Sequence, residues 1–229
     1  MLQRLVLSAL ATLIWNTPAL ADLVVDRTVI RFDTDTPARQ DIEITNTEKD
    51  ALYLAMDVYE VEDPGTDAEA QLRPKDPNAV TLLVTPDKMI LSPGSRKLLR
   101  LVNLGGSGDK ERIFRVKVRP VGREIESSTD AVTIVGYEIL VIVRPRNPHP
   151  ILRHERQGRR ITFINDGNTN VLLHSGEQCP AEGAARKGCA TLIPKRLYAG
   201  NRWELTLPYD APVEYSITIG DDDMRRRFK

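Results

Sequence analysis

Histidine and cysteine are scarce in this chain of 229 residues, three of one and two of the other. His149, His154 and His174 lie scattered among prolines, arginines and polar residues, a context for solvated side chains and not for a metal cluster. Net charge is lacking as well. Thirty-two basic residues face 32 acidic ones, so no overall field draws the chain to nucleic acid or to an anionic membrane. The basic end at Arg225, Arg226 and Arg227 follows Asp221, Asp222 and Asp223 and reads as a locally neutralised terminus. Catalytic signatures are missing. There is no Gly-x-Ser-x-Gly, no His-Glu-x-x-His and no glycine loop to cradle phosphate, and no carboxylate pair is marked out for glycoside hydrolysis. No apolar period of 3.6 residues lasts three turns, and beyond the first residues no apolar run is long enough to span a bilayer. These absences argue against an enzyme, a cofactor, a metal site and membrane insertion.

What is present begins with a basic start at Arg4 and an apolar run from Leu5 to Trp15. A break at Asn16, Thr17 and Pro18 leads to Ala19, Leu20 and Ala21. A short apolar core ending in an Ala-x-Ala site is a secretory signal peptide, expected over 1–21. Export leads to an oxidising compartment, so Cys179 and Cys189 are expected to form a disulfide. Closing a loop of that size stabilises by about 2–3 kcal/mol in the chain-entropy view. Zinc would need two more ligands, and only His174 is near.

The rest reads as β throughout. Residues 23–32 are rich in valine and isoleucine. Over 40–46, Ile42 and Ile44 face one way while Asp41, Glu43 and Thr45 face the other, the alternation of a half-buried strand. Further strands are expected at 51–61, 80–85, 88–91, 96–103 and 113–121, with a polar loop over 63–78. In 113–121, Phe114, Val116 and Val118 share one face and Ile113, Arg115, Lys117 and Arg119 the other. The longest β-branched run, 131–143, stops at Arg144, where Pro145, Pro148 and Pro150 close off any central strand. That proline stretch is the expected boundary between domains at 22–146 and 147–229. The second half offers strands at 160–165, 170–175, 190–193, 202–207 and 214–219. The spacing predicts an all-β protein of two immunoglobulin-like sandwiches.

Several segments, in order, resemble the PapD-like periplasmic chaperones of the chaperone–usher pathway. These are Asp26-Arg27-Thr28 with Phe32, the strand 42–46 with Tyr53-Leu54-Ala55, Thr85-Pro86, and Leu91-Ser92-Pro93-Gly94 with Arg100. Asp109 to Phe114 and Val143-Arg144-Pro145 complete the set, which spans 22–150. The resemblance implies two sandwiches set at an angle, a periplasmic location, and partners that are pilus or fimbrial subunits and an outer-membrane usher. It implies that Ala131, Val132, Thr133, Ile134 and Val135 form the strand lent to a subunit. Either Ala131, Thr133 and Val135 or Val132 and Ile134 face the subunit's groove. It also implies interdomain ion pairs among Glu111, Arg144 and Asp221.

The chain departs from the family at the two cleft cations that grip a subunit's terminal carboxylate. Those positions hold Val29 and Leu140. Arg27 and Arg31 each lie two residues from Val29, on its face if the strand is regular, and are the candidate replacements. The alternative reading is a secreted two-sandwich adhesin or pilus component that reuses the fold. Self-association through exposed edge strands is compatible with either.

Overall fold

A computed structural model describes residues 23–121, 136–181 and 188–229. The segment 131–135, expected as the lent strand, lies outside the described residues, as does the expected signal peptide.

Among the described residues the first sandwich is built from ten strands. One sheet runs in the order β1 (Leu23–Val25), β3 (Arg39–Asn46), β8 (Arg96–Asn103), β6 (Leu82–Thr85). The other runs β2 (Val29–Phe32), β10 (Tyr137–Val143), β9 (Arg112–Pro120), β4 (Leu52–Glu62), β5 (Ala70–Leu72), with β7 (Lys88–Leu91) also on β4. The alternation over 40–46 does what period-two patterning requires: Ile42 and Ile44 are fully buried. They pack with Leu99, Leu101, Val116 and Val118 in one largely aliphatic core that also holds Phe32 and Phe114. Each such side chain taken from water contributes about 1.5–3 kcal/mol.

The run 23–32, expected as one strand, is two. A bend at residues 26–28 sends β1 antiparallel along β3 in one sheet and β2 parallel along β10 in the other. The polar loop over 63–78 carries the short β5, which pairs with the end of β4.

The second sandwich sets β11 (Leu152–Gln157), β12 (Arg160–Asn165) and β16 (Arg202–Thr206) against a larger sheet. That sheet runs β14 (Ala190–Leu192), β13 (Val171–Gln178), β17 (Val213–Ile219), β18 (Asp222–Phe228), with β15 (Lys195–Leu197) also on β13. Its core adds a group of packed rings to aliphatic side chains such as Ile161, Val171, Leu173 and Val213. Phe163 stacks on Trp203 with centroids 5.6 Å apart and meets Tyr215 and Phe228 edge-on. Tyr215 lies across the strand from Gly176, where a Cβ would fall 2.5 Å from the ring. Only glycine leaves room for it. The stretch 221–229, expected as a neutralised tail, is largely the edge strand β18. Phe228 is fully buried, while Arg225 reaches Glu177 and Glu214. Cys179 and Cys189 form a disulfide. They also belong to the single potential metal-ligand group among the described residues, with Glu177, and their pairing consumes both thiolates.

Candidate functional site

A cavity of about 590 Å³ opens between the two sandwiches. Its first wall is the outward face of β2, where Val29 and Arg31 alternate with the buried Ile30 and Phe32. Its second wall is the outward face of the sheet around β13. Register places Arg196, Leu172, Thr218 and Asp223 in one row across β15, β13, β17 and β18, and all four line the cavity. The pairing of β13 with β17 shifts register between Leu173 and Ser175. This irregularity leaves His174 and Ser175 both exposed and puts His174 beside the Thr218 hydroxyl.

Arg144 sits at the cavity floor where the first sandwich ends. Its Nη1 donates to Asp33 Oδ1 at 3.0 Å and to Asp221 at 2.9 and 3.1 Å. Burial disfavours the charge, yet the hydrogen bonds it donates to Asp221 and Asp33 outweigh burial and raise the Arg144 pKa. Arg31 approaches the same two carboxylates more loosely, Asp221 at 3.5 Å and Asp33 at 4.0 Å. Glu111, expected to share Arg144, spends its carboxylate elsewhere. Its Oε2 accepts from the Thr169 hydroxyl at 3.1 Å and from the Asn170 backbone and side-chain amides at 2.8 Å each. Its Oε1 accepts from the Ala199 amide at 3.4 Å. Glu111 thus joins the sandwiches by hydrogen bonds, and the place beside Arg144 belongs to Asp33. Asp33 lies two residues from Arg31 on the same face, a spacing that would have marked it.

The two candidate replacement arginines part company. Arg31 lies on β2 and lines the cavity. Arg27 lies in the bend before β2, so the regular-strand assumption fails there. Its guanidinium turns to β3, bonding the Asp41 carbonyl, and to Asp26 at 3.4 Å. The departed anchor positions are neighbours, since Val29 and Leu140 are partners across β2 and β10. Leu140 is buried in a third apolar cluster with Val61, Ile113, Ile142 and Tyr198 of the second sandwich. Apolar packing between domains thus occupies the position where a cation was expected. Tyr198 also packs on Gly65, and the neighbouring Asn201 donates to the Pro64 carbonyl at 2.6 Å.

One arginine that sequence reasoning did not single out, Arg196, also lines the cavity. Arg196 donates to Asn170 Oδ1. Burial pushes its pKa down; Tyr198 and Glu111 oppose that shift, and the charges of Arg31 and Arg115 add to it. Arg115, on β9, has a buried Nε that lies 3.5 Å from Glu138 Oε1 in an ion pair. Arg196 carries no local motif, because the cavity assembles from β2 of one sandwich and β13, β15, β17 and β18 of the other.

No curated protein matches the chain in sequence. Solved structures match in fold. The class 5 fimbriae chaperone CfaA aligns with a TM-score of 0.65 at 18% identity, over 90% of this chain and 99% of that one. The structure of Salmonella enterica SafA pilin in complex with the SafB chaperone aligns at 0.63 and 16%, over 93% and 98%. The E. coli chaperone DraB aligns at 0.61 and 16%, over 90% and 97%. A family profile described as pili and flagellar-assembly chaperone, PapD N-terminal domain, matches residues 22–149, more than half of the sequence, and the chain belongs to this family of non-enzymatic assembly proteins.

Proposed function

We propose that this protein is a periplasmic chaperone that binds unfinished pilus or fimbrial subunits, keeps them soluble and passes them to an outer-membrane usher. The observation that carries the reading is the family match over 22–149, which spans the first sandwich and includes the segment 131–135. The physics is that of an open sheet edge. A subunit sandwich short of one strand presents unpaired backbone groups and an apolar groove, and such edges aggregate. A lent strand supplies main-chain hydrogen bonds, and its alternate side chains fill the groove. Ala131, Val132, Thr133, Ile134 and Val135 are the proposed lent strand, within a first domain of 22–146 followed by a second of 147–229. Arg31 is the first-domain cation proposed to meet the subunit's chain end, in place of Val29 and Leu140. Arg144 with Asp33 and Asp221, and Glu111 with Thr169 and Asn170, would hold the cleft walls at a fixed separation.

The test is to express the protein in the periplasm with the pilin-like subunit encoded beside it and to measure the subunit's soluble yield. Rescue is expected. Paired substitutions Val132→Asp with Ile134→Asp, and Ala131→Asp with Val135→Asp, identify the groove-facing set: that pair should reduce yield to the level without chaperone. A folded protein that rescues no neighbouring subunit would overturn the proposal in favour of a two-sandwich adhesin.

A further inference from the structure

Beyond β2, the larger sheet of the first sandwich is covered by the second sandwich. Leu140 and Ile142 on β10, Ile113 on β9 and Val61 on β4 form a small apolar patch, and the Tyr198 ring packs into it. Only 5% of Tyr198 is exposed. The loop after β4 closes on the ring from another side. Gly65, at φ 74°, comes so near that a Cβ there would fall 2.9 Å from Tyr198 Cδ2. A side chain of one domain is thus inserted into a socket of the other.

The chain around Tyr198 is held firmly. The Asn201 amide donates to the Tyr198 carbonyl at 3.1 Å, closing a turn. The fully buried Asn165 braces that turn. Its side-chain amide donates to the Leu197 carbonyl at 2.9 Å, its carbonyl accepts from the Gly200 amide at 2.9 Å, and its own amide donates to the Asn201 carbonyl at 3.0 Å. Two hydrogen bonds cross to the first sandwich on either side of the ring. Asn201 Nδ2 donates to the Pro64 carbonyl at 2.6 Å, and the Ala199 amide to Glu111 Oε1 at 3.4 Å.

The place of this contact decides what it does. The sheet runs β2, β10, β9, β4, so the socket lies one to three strand spacings beyond the cleft wall at β2, roughly 5–14 Å. Arg144 joins the sandwiches at the cleft floor. A body held at one point turns about it, and a second, separate point stops the turning. Leu140 links the two regions. Its partner across the strands, Val29, lines the cavity and is 46% exposed, whereas Leu140 is 8% exposed. A lysine at 140 would put an ammonium group into apolar packing. Position 140 therefore serves the joint between the domains.

We infer that Tyr198 is a positioning residue: seated on Leu140 and clasped by Gly65, it sets the angle between the sandwiches and with it the width of the cleft. Its geometry stands on the contacts above, and its purpose rests on the reading of the cavity as the subunit cleft.

The experiment measures backbone residual dipolar couplings of the mature protein in weakly aligning medium. In the unsubstituted protein the couplings of both sandwiches should fit one alignment frame. Tyr198→Ala should split them into two frames while each sandwich still fits its own fold, and Tyr198→Phe, which keeps the ring, should restore one. Leu140→Lys should also split the frames, and Val29→Lys, on the exposed side of the same pair, should not. Should Tyr198→Ala disturb the second sandwich, Gly65→Ala pushes on the ring from the first and should give the same split. A single frame in folded Tyr198→Ala, Leu140→Lys or Gly65→Ala, or a split in Tyr198→Phe as wide as in Tyr198→Ala, would overturn the inference. Subunit yield on co-expression tests the purpose: Tyr198→Ala should lower it with the segment 131–135 intact, and full yield from a protein with split frames would remove the link to the cleft. The couplings involve no subunit, so a failed rescue by the unsubstituted protein and a failed joint are told apart.

Discussion

The first sandwich fills its interior with Ile42, Ile44, Leu99, Leu101, Val116 and Val118, whereas the second stacks Phe163, Trp203, Tyr215 and Phe228 and closes a loop with a disulfide. At the same point in their connectivity, however, both use one device. Asn46 ends β3 fully buried, donating to the Leu91 and Ser92 carbonyls and accepting from the Glu48 amide. Asn165 ends β12 fully buried, donating to the Thr169 and Leu197 carbonyls and accepting from the Gly167 amide. A buried amide that satisfies the backbone of the following turn fixes the chain reversal in each domain. The turns are alike and the cores are not. Aliphatic packing spreads stability over many side chains, while aromatic packing concentrates it in a few. The smaller sandwich, with less area to bury, depends on those few and on its disulfide.

The sharpest way to break that comparison is Phe163→Ala. Phe163 touches the other three rings of the aromatic group. Its removal should cost about 3–5 kcal/mol and fall on the second sandwich alone. Trp203 reports on that sandwich directly, and the sequence's other tryptophan, Trp15, lies in the expected signal peptide. Denaturant titration followed by Trp203 emission should show an early transition, with the β signal of the first sandwich retained. A single coincident transition of both would mean that the domains do not hold their stability separately.

A smaller effect is expected where the domains meet. Arg144→Ala leaves Asp33 and Asp221 facing each other without their cation. Removing one partner of a buried ion pair costs about 3–5 kcal/mol, and the exposure of Asp221 reduces that to about 2 kcal/mol here. The loss should appear as a change in domain orientation, because the bond crosses from one sandwich to the other. Small-angle scattering and residual dipolar couplings would measure it. Unchanged couplings across the junction would place the interdomain restraint on Tyr198 and Glu111 instead.

How much of this was legible beforehand differs between the two halves for physical reasons. In the first, alternation is strong and turns are marked, so strand bounds such as those of β8 could be read directly, and so could the inward face of β9. The switch of sheets at residues 26–28 could not, since valine and isoleucine suit both β1 and β2 and nothing local marks the bend. In the second half, β11 reads LRHERQ and β18 reads DDMRRRF, edge strands with one buried residue near an end. Their pairing comes from tertiary context, and charge on an edge strand is protective, so they look like loops in sequence. The cleft was half legible. Arg31, Arg144 and Asp221 follow from spacing and resemblance, whereas Arg196 and Tyr198 lie on a stretch defined solely by its pairing with β13.

The finest distinction between the sandwiches is in their response to pH. Burial opposes ionisation of Asp57 on β4, but hydrogen bonds from Arg119 and Arg73 outweigh it and hold the carboxyl below its ordinary 3.8. A depressed carboxylate pKa means that the unfolded chain takes up the proton first. The stabilisation is complete above the unfolded value, near pH 4, and is lost as pH falls through the folded value. In the second sandwich, burial raises the pKa of Tyr215 above its ordinary 10.0. There the unfolded chain loses its proton first, so stability is full below about pH 10 and declines as pH rises beyond it. Acid should therefore weaken the first sandwich and alkali the second, and each limb has its own control. Asp57→Asn should make the acid limb shallower, the rest belonging to Asp41 on β3, whose carboxyl the hydrogen bond from Arg100 also holds below its ordinary value, and should leave the alkaline limb as it is. Tyr215→Phe should make the alkaline limb shallower, the rest belonging to Tyr198, whose pKa burial also raises, at a cost near neutrality of about 1 kcal/mol for the hydroxyl that donates to the Ile193 carbonyl at 3.2 Å. Thermal melts at a series of pH values would show both. An alkaline limb left unchanged by Tyr215→Phe would locate the sensitivity in Tyr198 and remove Tyr215 from the account of why the second sandwich is stable.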